Sequence, residues 1–340
     1  MNSVNLFSVF EGHDKAVNCI LECKNGQIIS GSLDNSIKIW DIDKNLCIET
    51  LYGHSNHVLC LLELENGLIA SGSADRTIKL WNSQDKKCIA TLKGHKSSIN
   101  CIIESKMANL ISCSNDFTIK FWDLKKQTCN FELNNNDESI NIILELGNSE
   151  LLSISYDEEF FKIWNTESKS CVAILNEHTD SIKCCIELAN GDIVTGSKDM
   201  NIKVWNLENR KCVSTLIGHQ CWVSCLIQLK NGHLASAAFD HSIRIWDLKN
   251  NNCTLLLTGH SDWVNSIVEL KNSNLVSGSA DNSIKLWDLN SNKCVLTLNE
   301  HDSYIIGIKE LEYYNSGDSG YFLSFSGDFT IKLFKFKKIS

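Results

Sequence analysis

Proline is absent from the 340-residue chain, and only three of its 32 basic residues are arginine. Without proline, the turns have to rely on Gly, Asn, Asp and Ser, which reach turn conformations by other means. The net charge is −9, and no stretch is dense in Lys and Arg apart from a short tail between Lys335 and Lys338. Because neutralisation of phosphates dominates the affinity for duplex nucleic acid, we expect no nucleic-acid partner.

Long apolar runs are missing as well. No segment approaches the roughly 18 consecutive apolar residues of a membrane span, and the first residues contain no basic region followed by an apolar block. We therefore expect neither membrane association nor a secretory signal. The 16 cysteines include no Cys-x-x-Cys pair, so we expect reduced thiols, no metal site and no cofactor. The expected location is the cytoplasm, with the nucleus as the alternative.

What the chain does contain is one repeat along its whole length. A tryptophan recurs every 41 or 42 residues, at positions 40, 81, 122, 164, 205, 246 and 287, and an eighth unit ends in Phe334. Asn136 opens the fourth unit, and a histidine opens each of the others: His13, His54, His95, His178, His219, His260 and His301. An aspartate precedes the closing aromatic residue of each unit: Asp34, Asp75, Asp116, Asp157, Asp199, Asp240, Asp281 and Asp328.

Each unit has the pattern of four β-strands. After Gly-His comes an alternating apolar segment, a turn such as Lys-Asn-Gly, a segment such as IISGS, an Asp turn, and SIKIWD. A polar turn and a segment such as CIETL complete the unit. Alternation with period two and enrichment in β-branched residues indicate strands. Four strands in such a unit leave no room for a helix of ordinary length, so the fold class is predicted to be all-β.

The Gly-His to Trp-Asp pattern at this period resembles the WD40 repeat over the whole chain. The resemblance implies β-propeller blades, with strands a, b and c inside and strand d outside. Eight inner triplets are present, but only seven d strands follow a tryptophan, and the segment from Val4 to Phe10 precedes the first His as each d strand precedes its own. We predict a single domain, residues 1–340, forming an eight-bladed WD40 β-propeller closed by the N-terminal strand in the last blade. A seven-bladed propeller is the alternative.

The recurrent His, Ser or Thr, Asp and Trp resemble the structural tetrad of this family, and in the first unit they are His13, Ser30, Asp34 and Trp40. An Asp, a His and a Ser together also suggest a nucleophilic triad. The set is complete in six units, whereas catalysis needs one site. We interpret the set as a hydrogen-bonded network within each blade and expect no catalytic residue.

Two charged series run in phase with the repeat. The first lies nine residues after each His position and comprises Glu22, Glu63, Glu104, Glu145, Glu187, Gln228, Glu269 and Glu310. The second lies two residues before each Trp position and comprises Lys38, Lys79, Lys120, Lys162, Lys203, Arg244, Lys285 and Lys332. We predict that the two series pair with each other, because repeated opposite charges usually serve the fold. A cation held by the carboxylates is the alternative.

The resemblance implies that partners bind on the top face, at three positions per blade: two in or just before strand a, and one before the turn Asp. In blades 1 to 3 these positions hold small or neutral residues. Aromatic and basic residues occupy them elsewhere, and they form the predicted partner-binding site: Trp222, Phe239, Trp263, Tyr304, Tyr156, Lys183 and Lys198. Exposed aromatic clusters favour partner binding, and packing against the neighbouring blade is the alternative. An insertion within Tyr313 to Tyr321 is a second candidate.

The main functional prediction is a non-catalytic scaffold that binds a protein or peptide segment on the top face, as a monomer within a larger complex. One alternative is a substrate-recognition subunit of a ubiquitin-ligase-type complex that reads phosphopeptides. The CIxTLxGH pattern, together with eight blades, is similar to the propellers of F-box/WD substrate receptors, although no F-box is recognisable and the arginines of such receptors are missing at the top positions. A purely architectural subunit is the other alternative.

Overall fold

The computed structural model describes residues 4–105, 109–134, 138–314 and 319–337. In these ranges every regular element is a β-strand, arranged in eight four-stranded antiparallel sheets, and no helix is long and apolar enough to span a membrane. The chain divides into two compact units, one formed by His13–Asn176 and the other by Met1–Gly12 with Glu177–Ser340. The expected single domain over residues 1–340 stays a prediction.

The unit His13–Asn176 holds blades 1 to 4, each a consecutive a-b-c-d set of strands. Blades 1 and 2 comprise β2 (Val17–Glu22), β3 (Ile28–Ser32), β4 (Ile37–Asp41), β5 (Leu46–Leu51), β6 (Val58–Glu63), β7 (Ile69–Ser73), β8 (Thr77–Asn82) and β9 (Lys87–Lys93). Blades 3 and 4 comprise β10 (Ile99–Ser105), β11 (Asn109–Ser114), β12 (Ile119–Asp123), β13 (Thr128–Leu133), β14 (Ile140–Glu145), β15 (Glu150–Ser155), β16 (Phe160–Asn165) and β17 (Ser170–Asn176).

The other unit holds blades 5 to 8. Blades 5 and 6 comprise β18 (Ile182–Glu187), β19 (Ile193–Ser197), β20 (Ile202–Asn206), β21 (Lys211–Leu216), β22 (Val223–Gln228), β23 (Leu234–Ala238), β24 (Ser242–Asp247) and β25 (Asn252–Thr258). Blades 7 and 8 comprise β26 (Val264–Glu269), β27 (Leu275–Ser279), β28 (Ile284–Asp288), β29 (Lys293–Leu298), β30 (Ile305–Glu310), β31 (Ser319–Ser326), β32 (Ile331–Lys337) and β1 (Val4–Phe10).

The N-terminal strand β1 is the outermost strand of blade 8. It pairs antiparallel with β32, from Val4 opposite Phe336 to Phe10 opposite Ile331. The predicted all-β fold with eight blades, the last of them completed by the N-terminal strand, is therefore confirmed, and the seven-bladed alternative is wrong.

The apolar core lies between successive blades. Five b strands, such as Ile28–Ser32, are buried at every residue, because side chains pack against both of their faces. In one core, Ile243 and Ile245 of blade 6 pack with Val264 and Trp287 of blade 7. Close packing also explains the glycine of the IISGS segment: a Cβ at Gly31 would lie 2.6 Å from the side chain of Val58 in the next blade.

The tetrad forms the predicted hydrogen-bonded network. In blade 1, His13 Nδ1 donates to Asp34 at 2.7 Å and the indole N–H of Trp40 donates to Ser30 at 2.8 Å, while the Ser30 hydroxyl is hydrogen-bonded to His13 Nε2 at 2.7 Å. The first two directions follow because a carboxylate can only accept and an indole N–H can only donate. Burial by itself raises the pKa of Asp34, but hydrogen bonds from His13 and Ser36 outweigh burial and hold this pKa well below its usual range.

Two blades depart from this arrangement. In blade 4, Trp164 donates to Ser153 at 2.8 Å and Asp157 is exposed, while Asn136 lies outside the described residues. In blade 8, the Phe334 ring stacks on Phe322 with 5.0 Å between centroids and takes the place of the indole.

The predicted pairing of the two charged series is wrong where their contacts are described. Four of the acidic residues accept backbone N–H groups of the preceding blade, among them Glu63 from Lys24 at 2.8 Å and Glu269 from Lys230 at 2.7 Å. Glu145 accepts the hydroxyl of Ser105 at 2.7 Å. The basic series reaches strand d instead, where Lys38 donates to Thr50 at 2.8 Å. Gln228 accepts from Ala189 at 2.9 Å, which shows that this contact needs an acceptor oxygen and no charge.

Candidate functional site

The top-face positions inferred from the sequence lie together at one end of each blade. In all eight blades, the N–H of the residue before the turn Asp donates to the carbonyl oxygen of the residue just before strand a, at 2.8–3.1 Å. In blade 6 this bond joins Phe239 to Trp222, and in blade 7 it joins Ala280 to Trp263. The repeat thus presents the same pair of positions in each blade, and only their side chains differ.

Three aromatic rings form a continuous stack, which we call the aromatic ladder: Trp222, Phe239 and Trp263. The rings of Trp222 and Phe239 have centroids 5.5 Å apart and an interplanar angle of 26°. Those of Phe239 and Trp263 lie 4.3 Å apart at 5°. Trp222 and Trp263 nevertheless remain 40% and 49% exposed. The two interpretations of these aromatics are therefore compatible: they pack across blades and still present a surface.

A lysine lies at one end of the aromatic ladder. The Nζ of Lys198, which follows β19 in blade 5, lies 4.7 Å from the centroid of a Trp222 ring. An ammonium over an indole face is attracted by the ring quadrupole. The second predicted lysine, Lys183, lies half-buried in β18. The contact between Lys198 and Trp222 was not foreseen from the sequence, because spacing along the chain does not show which lysine faces a ring of the next blade.

Tyr304 stands beside the aromatic ladder in blade 8. Its side chain is 47% exposed, and its ring covers Gly327, where a Cβ would come within 2.6 Å of a ring carbon. Among the ring contacts of the described residues, none joins Tyr304 to Trp263. The four predicted aromatics of blades 6 to 8 are thus three stacked rings and one separate ring.

Tyr156 belongs to the other unit, where it lines a polar depression of about 620 Å³. Within it, the Asn100 side chain donates to Asn115, Asn141 and the Ile140 carbonyl. The sequence interpretation had treated the top positions of blades 1 to 3 as small or neutral, and it missed this amide-rich surface. The signal was the repeated Asn near the start of strand a. The lining residues are Asn18, Leu59, Asn100, Asn115, Ser139, Asn141 and Tyr156.

In the described ranges, no group of three or more His, Cys, Asp or Glu side chains could hold a metal ion. Burial raises the pKa of the Cys19 thiol to about 12, which keeps that sulfur protonated at neutral pH. The insertion of blade 8, proposed above as a second candidate, lies partly outside the described residues, at 315–318.

Known protein families and solved structures contain the same repeat and the same fold. The family model "WD domain, G-beta repeat" matches residues 4–41, 45–82, 86–123, 169–206, 210–247 and 251–288. The matches leave out the inner strands of blades 4 and 8, which depart from the tetrad. Among solved structures, the chain is similar to the crystal structure of the computationally designed Ika8 protein, with a TM-score of 0.83, 26% identity, and coverage of 98% of this chain and 99% of that chain. No curated protein sequence matches the chain.

Proposed function

Because the chain belongs to the WD40 repeat family, whose propellers typically act as non-enzymatic scaffolds for protein–protein interactions, we propose that it captures a protein or peptide segment on the aromatic ladder. It does so as a monomer within a larger, cytoplasmic complex. The proposal is based on the positions at which the blades differ. Positions shared by all blades stabilise the repeat, so residues with a specific function are expected where the blades differ.

One observation carries the proposal. The stacked indoles of Trp222 and Trp263 are 40% and 49% exposed, although each already contacts the ring of Phe239. Rings held in place by stacking lose little further conformational entropy when a partner covers them. Tryptophan is also enriched among the residues that contribute most binding energy at interfaces. A large, rigid and exposed apolar surface of this kind suits a protein partner.

The phosphopeptide alternative has less support. Arginine forks grip phosphate with two parallel hydrogen bonds, and the only arginines of the chain, Arg76, Arg210 and Arg244, are not at top-face positions. The ammonium of Lys198 already lies over the Trp222 indole.

The test is a quantitative pull-down from lysate with the full chain as bait. The Trp222→Ala/Phe239→Ala/Trp263→Ala/Tyr304→Ala variant is compared with wild type after circular dichroism has shown that it is folded. A matched control removes equally exposed apolar side chains from the outer strands of blades 5 to 7, in the Val213→Ala/Leu256→Ala/Val295→Ala variant. We expect specific partners to be lost with the first variant and retained with the control.

The opposite pattern would overturn the proposal. If the partners persist with the four-ring variant and disappear with the outer-strand variant, the chain acts through its outer strands as an architectural subunit.

A further inference from the structure

The aromatic ladder has a defined order along the surface. Phe239 contacts Trp222 of its own blade on one side and Trp263 of the next blade on the other. Residues before strand a and residues before the turn Asp therefore alternate along this surface. In the same order, the position after Trp263 is that of Ala280, before the turn Asp of blade 7. The position after Ala280 is that of Tyr304, before strand a of blade 8.

Ala280 occupies in blade 7 the position that Phe239 occupies in blade 6. Both donate their backbone N–H to the residue before strand a of their own blade, at 2.8 and 2.9 Å. The alanine is half-buried and supplies only a methyl group where blade 6 supplies a ring. At this position of the ladder, the chain therefore supplies no aromatic ring.

Both flanking rings contact residues other than Ala280. Trp263 stacks back onto Phe239 at 4.3 Å, and Tyr304 covers Gly327 on the far side. Each is about half exposed, at 49% and 47%. In the order of positions, Ala280 stands between these two aromatic residues; we call this position the slot, and a planar group could stack there as Phe239 does in blade 6.

The charged residues near the slot indicate which kind of planar group would bind there. Asp262 directly precedes Trp263 and accepts its backbone N–H at 2.8 Å, and the exposed Asp302 lies two residues before Tyr304. The cation of the ladder, Lys198, lies at its other end, on Trp222. The chain as a whole carries a net charge of −9. A cationic planar group is therefore favoured at the Ala280 end and disfavoured at the Trp222 end.

We propose that the slot over Ala280, between Trp263 and Tyr304, binds an arginine side chain of the protein partner. A guanidinium is planar, stacks on aromatic faces and donates paired hydrogen bonds to carboxylates. A lysine ammonium matches the charge but not the shape, and a phenyl ring matches the shape but not the charge. This assignment rests on the proposed function, since it specifies what the partner presents to the aromatic ladder.

The experiment uses the capped peptide acetyl-Gly-Gly-Arg-Gly-Gly-amide as the probe, with Lys, citrulline and Phe in place of Arg as controls. Binding is followed by calorimetry and by the indole N–H resonance of Trp263 in ¹⁵N-labelled full-length protein, assigned with Trp263→Phe. We expect the Arg peptide to shift this resonance and to bind at least ten-fold more tightly than the three control peptides.

Two variants test the slot itself. Ala280→Phe places a ring at this position, as Phe239 does in blade 6, and we expect it to weaken Arg-peptide binding at least ten-fold. The matched control Val295→Phe, at an exposed position of the outer strand of blade 7, leaves binding unchanged. Asp262→Asn/Asp302→Asn is expected to weaken binding several-fold without filling the slot, and it decides the matter if Ala280→Phe does not fold.

Several outcomes would overturn the assignment: no shift with millimolar Arg peptide, equal or tighter binding of the Phe peptide, or unchanged binding to a folded Ala280→Phe. The proposed function is judged separately. If the four-ring variant loses partners from lysate while folded Ala280→Phe keeps them, the arginine assignment fails and the interaction surface stands. If the four-ring variant keeps all partners, the proposed function itself fails.

Discussion

The ring of Trp263 stacks on that of Phe239 at 4.3 Å and an interplanar angle of 5°, although the two residues belong to different blades. Trp222 stacks on the opposite side of Phe239. Phe239 therefore links blades 6 and 7 through side chains alone, at the end of the blades where strand a begins. It contributes to the fold as well as to the exposed surface.

Replacing Phe239 with Ala should destabilise the protein. Two aromatic pairs are lost, each worth about 0.5–1.5 kcal/mol beyond the buried area, so we expect a loss of about 1–3 kcal/mol in the free energy of unfolding. Urea denaturation followed by tryptophan fluorescence measures it. Phe329→Ala serves as the control, because Phe329 is 43% exposed, and its effect should stay within about 0.5 kcal/mol. Equal effects of the two variants would show that the stack adds no stability.

The tetrads predict different effects of the same substitution in two blades. In blade 2, Asp75 accepts the Nδ1–H of buried His54 at 2.7 Å, so Asp75→Asn removes a charge-assisted hydrogen bond and should cost about 1–3 kcal/mol of unfolding free energy. Asp157 of blade 4 is exposed, and Asp157→Asn should cost less than about 0.5 kcal/mol. Chemical denaturation of both variants tests this, and a larger loss for Asp157→Asn would contradict it.

The aspartates of the complete tetrads also predict that acid lowers the free energy of unfolding. Hydrogen bonds from His54 and Thr77 outweigh burial and hold the pKa of Asp75 well below its usual range. A carboxyl whose pKa is lower in the folded than in the unfolded chain stabilises the fold above the unfolded value of about 3.9, and this contribution is lost as the pH falls below it. Urea denaturation between pH 7 and pH 3 should therefore show the difference between wild type and Asp75→Asn shrinking below about pH 4. A constant difference would refute this account.

In blade 8, two phenylalanines occupy the positions of the Leu and Trp pair of blade 7. Phe322 lies opposite Phe334, whereas in blade 7 Leu275 lies opposite Trp287. Phe334→Trp alone should overfill this site and cost about 1–3 kcal/mol, and Phe322→Ile in the same chain should recover at least about 1 kcal/mol. A double-mutant cycle on unfolding free energies measures the coupling. The converse cycle, with Leu275→Phe and Trp287→Phe, is the matched control, and strictly additive effects in blade 8 would rule out coupling between the two residues.

The acidic series should be insensitive to loss of charge. Glu269 accepts the N–H of Lys230, and Gln228 makes the equivalent contact in its blade. We expect Glu269→Gln to change the unfolding free energy by less than about 0.5 kcal/mol, at low and high salt alike, and Glu269→Ala to cost about 1 kcal/mol by removing the acceptor. Thermal and urea denaturation at two salt concentrations check this. A salt-dependent loss with Glu269→Gln would restore the ionic interpretation.

Much of the architecture was predictable because the repeat is nearly regular. Tryptophans 41 or 42 residues apart allowed the strands to be counted, and the unmatched segment from Val4 to Phe10 could only belong to the last blade. The tetrad of His13, Ser30, Asp34 and Trp40 was predictable too, since its members recur together. Within one blade, register follows from alternation and turn length, which are local properties of the chain.

Contacts between blades could not be predicted in the same way. The sequence alone determined the eight blades, their tetrads and the residues at each top-face position. Only the tertiary structure decided that Glu63 binds the Lys24 backbone rather than a lysine side chain, and that Lys198 lies over Trp222. It also decided that the ring of Phe239 stacks on two indoles, whereas Ala280 supplies no ring at the equivalent position. The physical reason is that a side chain selects its partner in the next blade by distance and direction, and periodic spacing along the chain specifies neither.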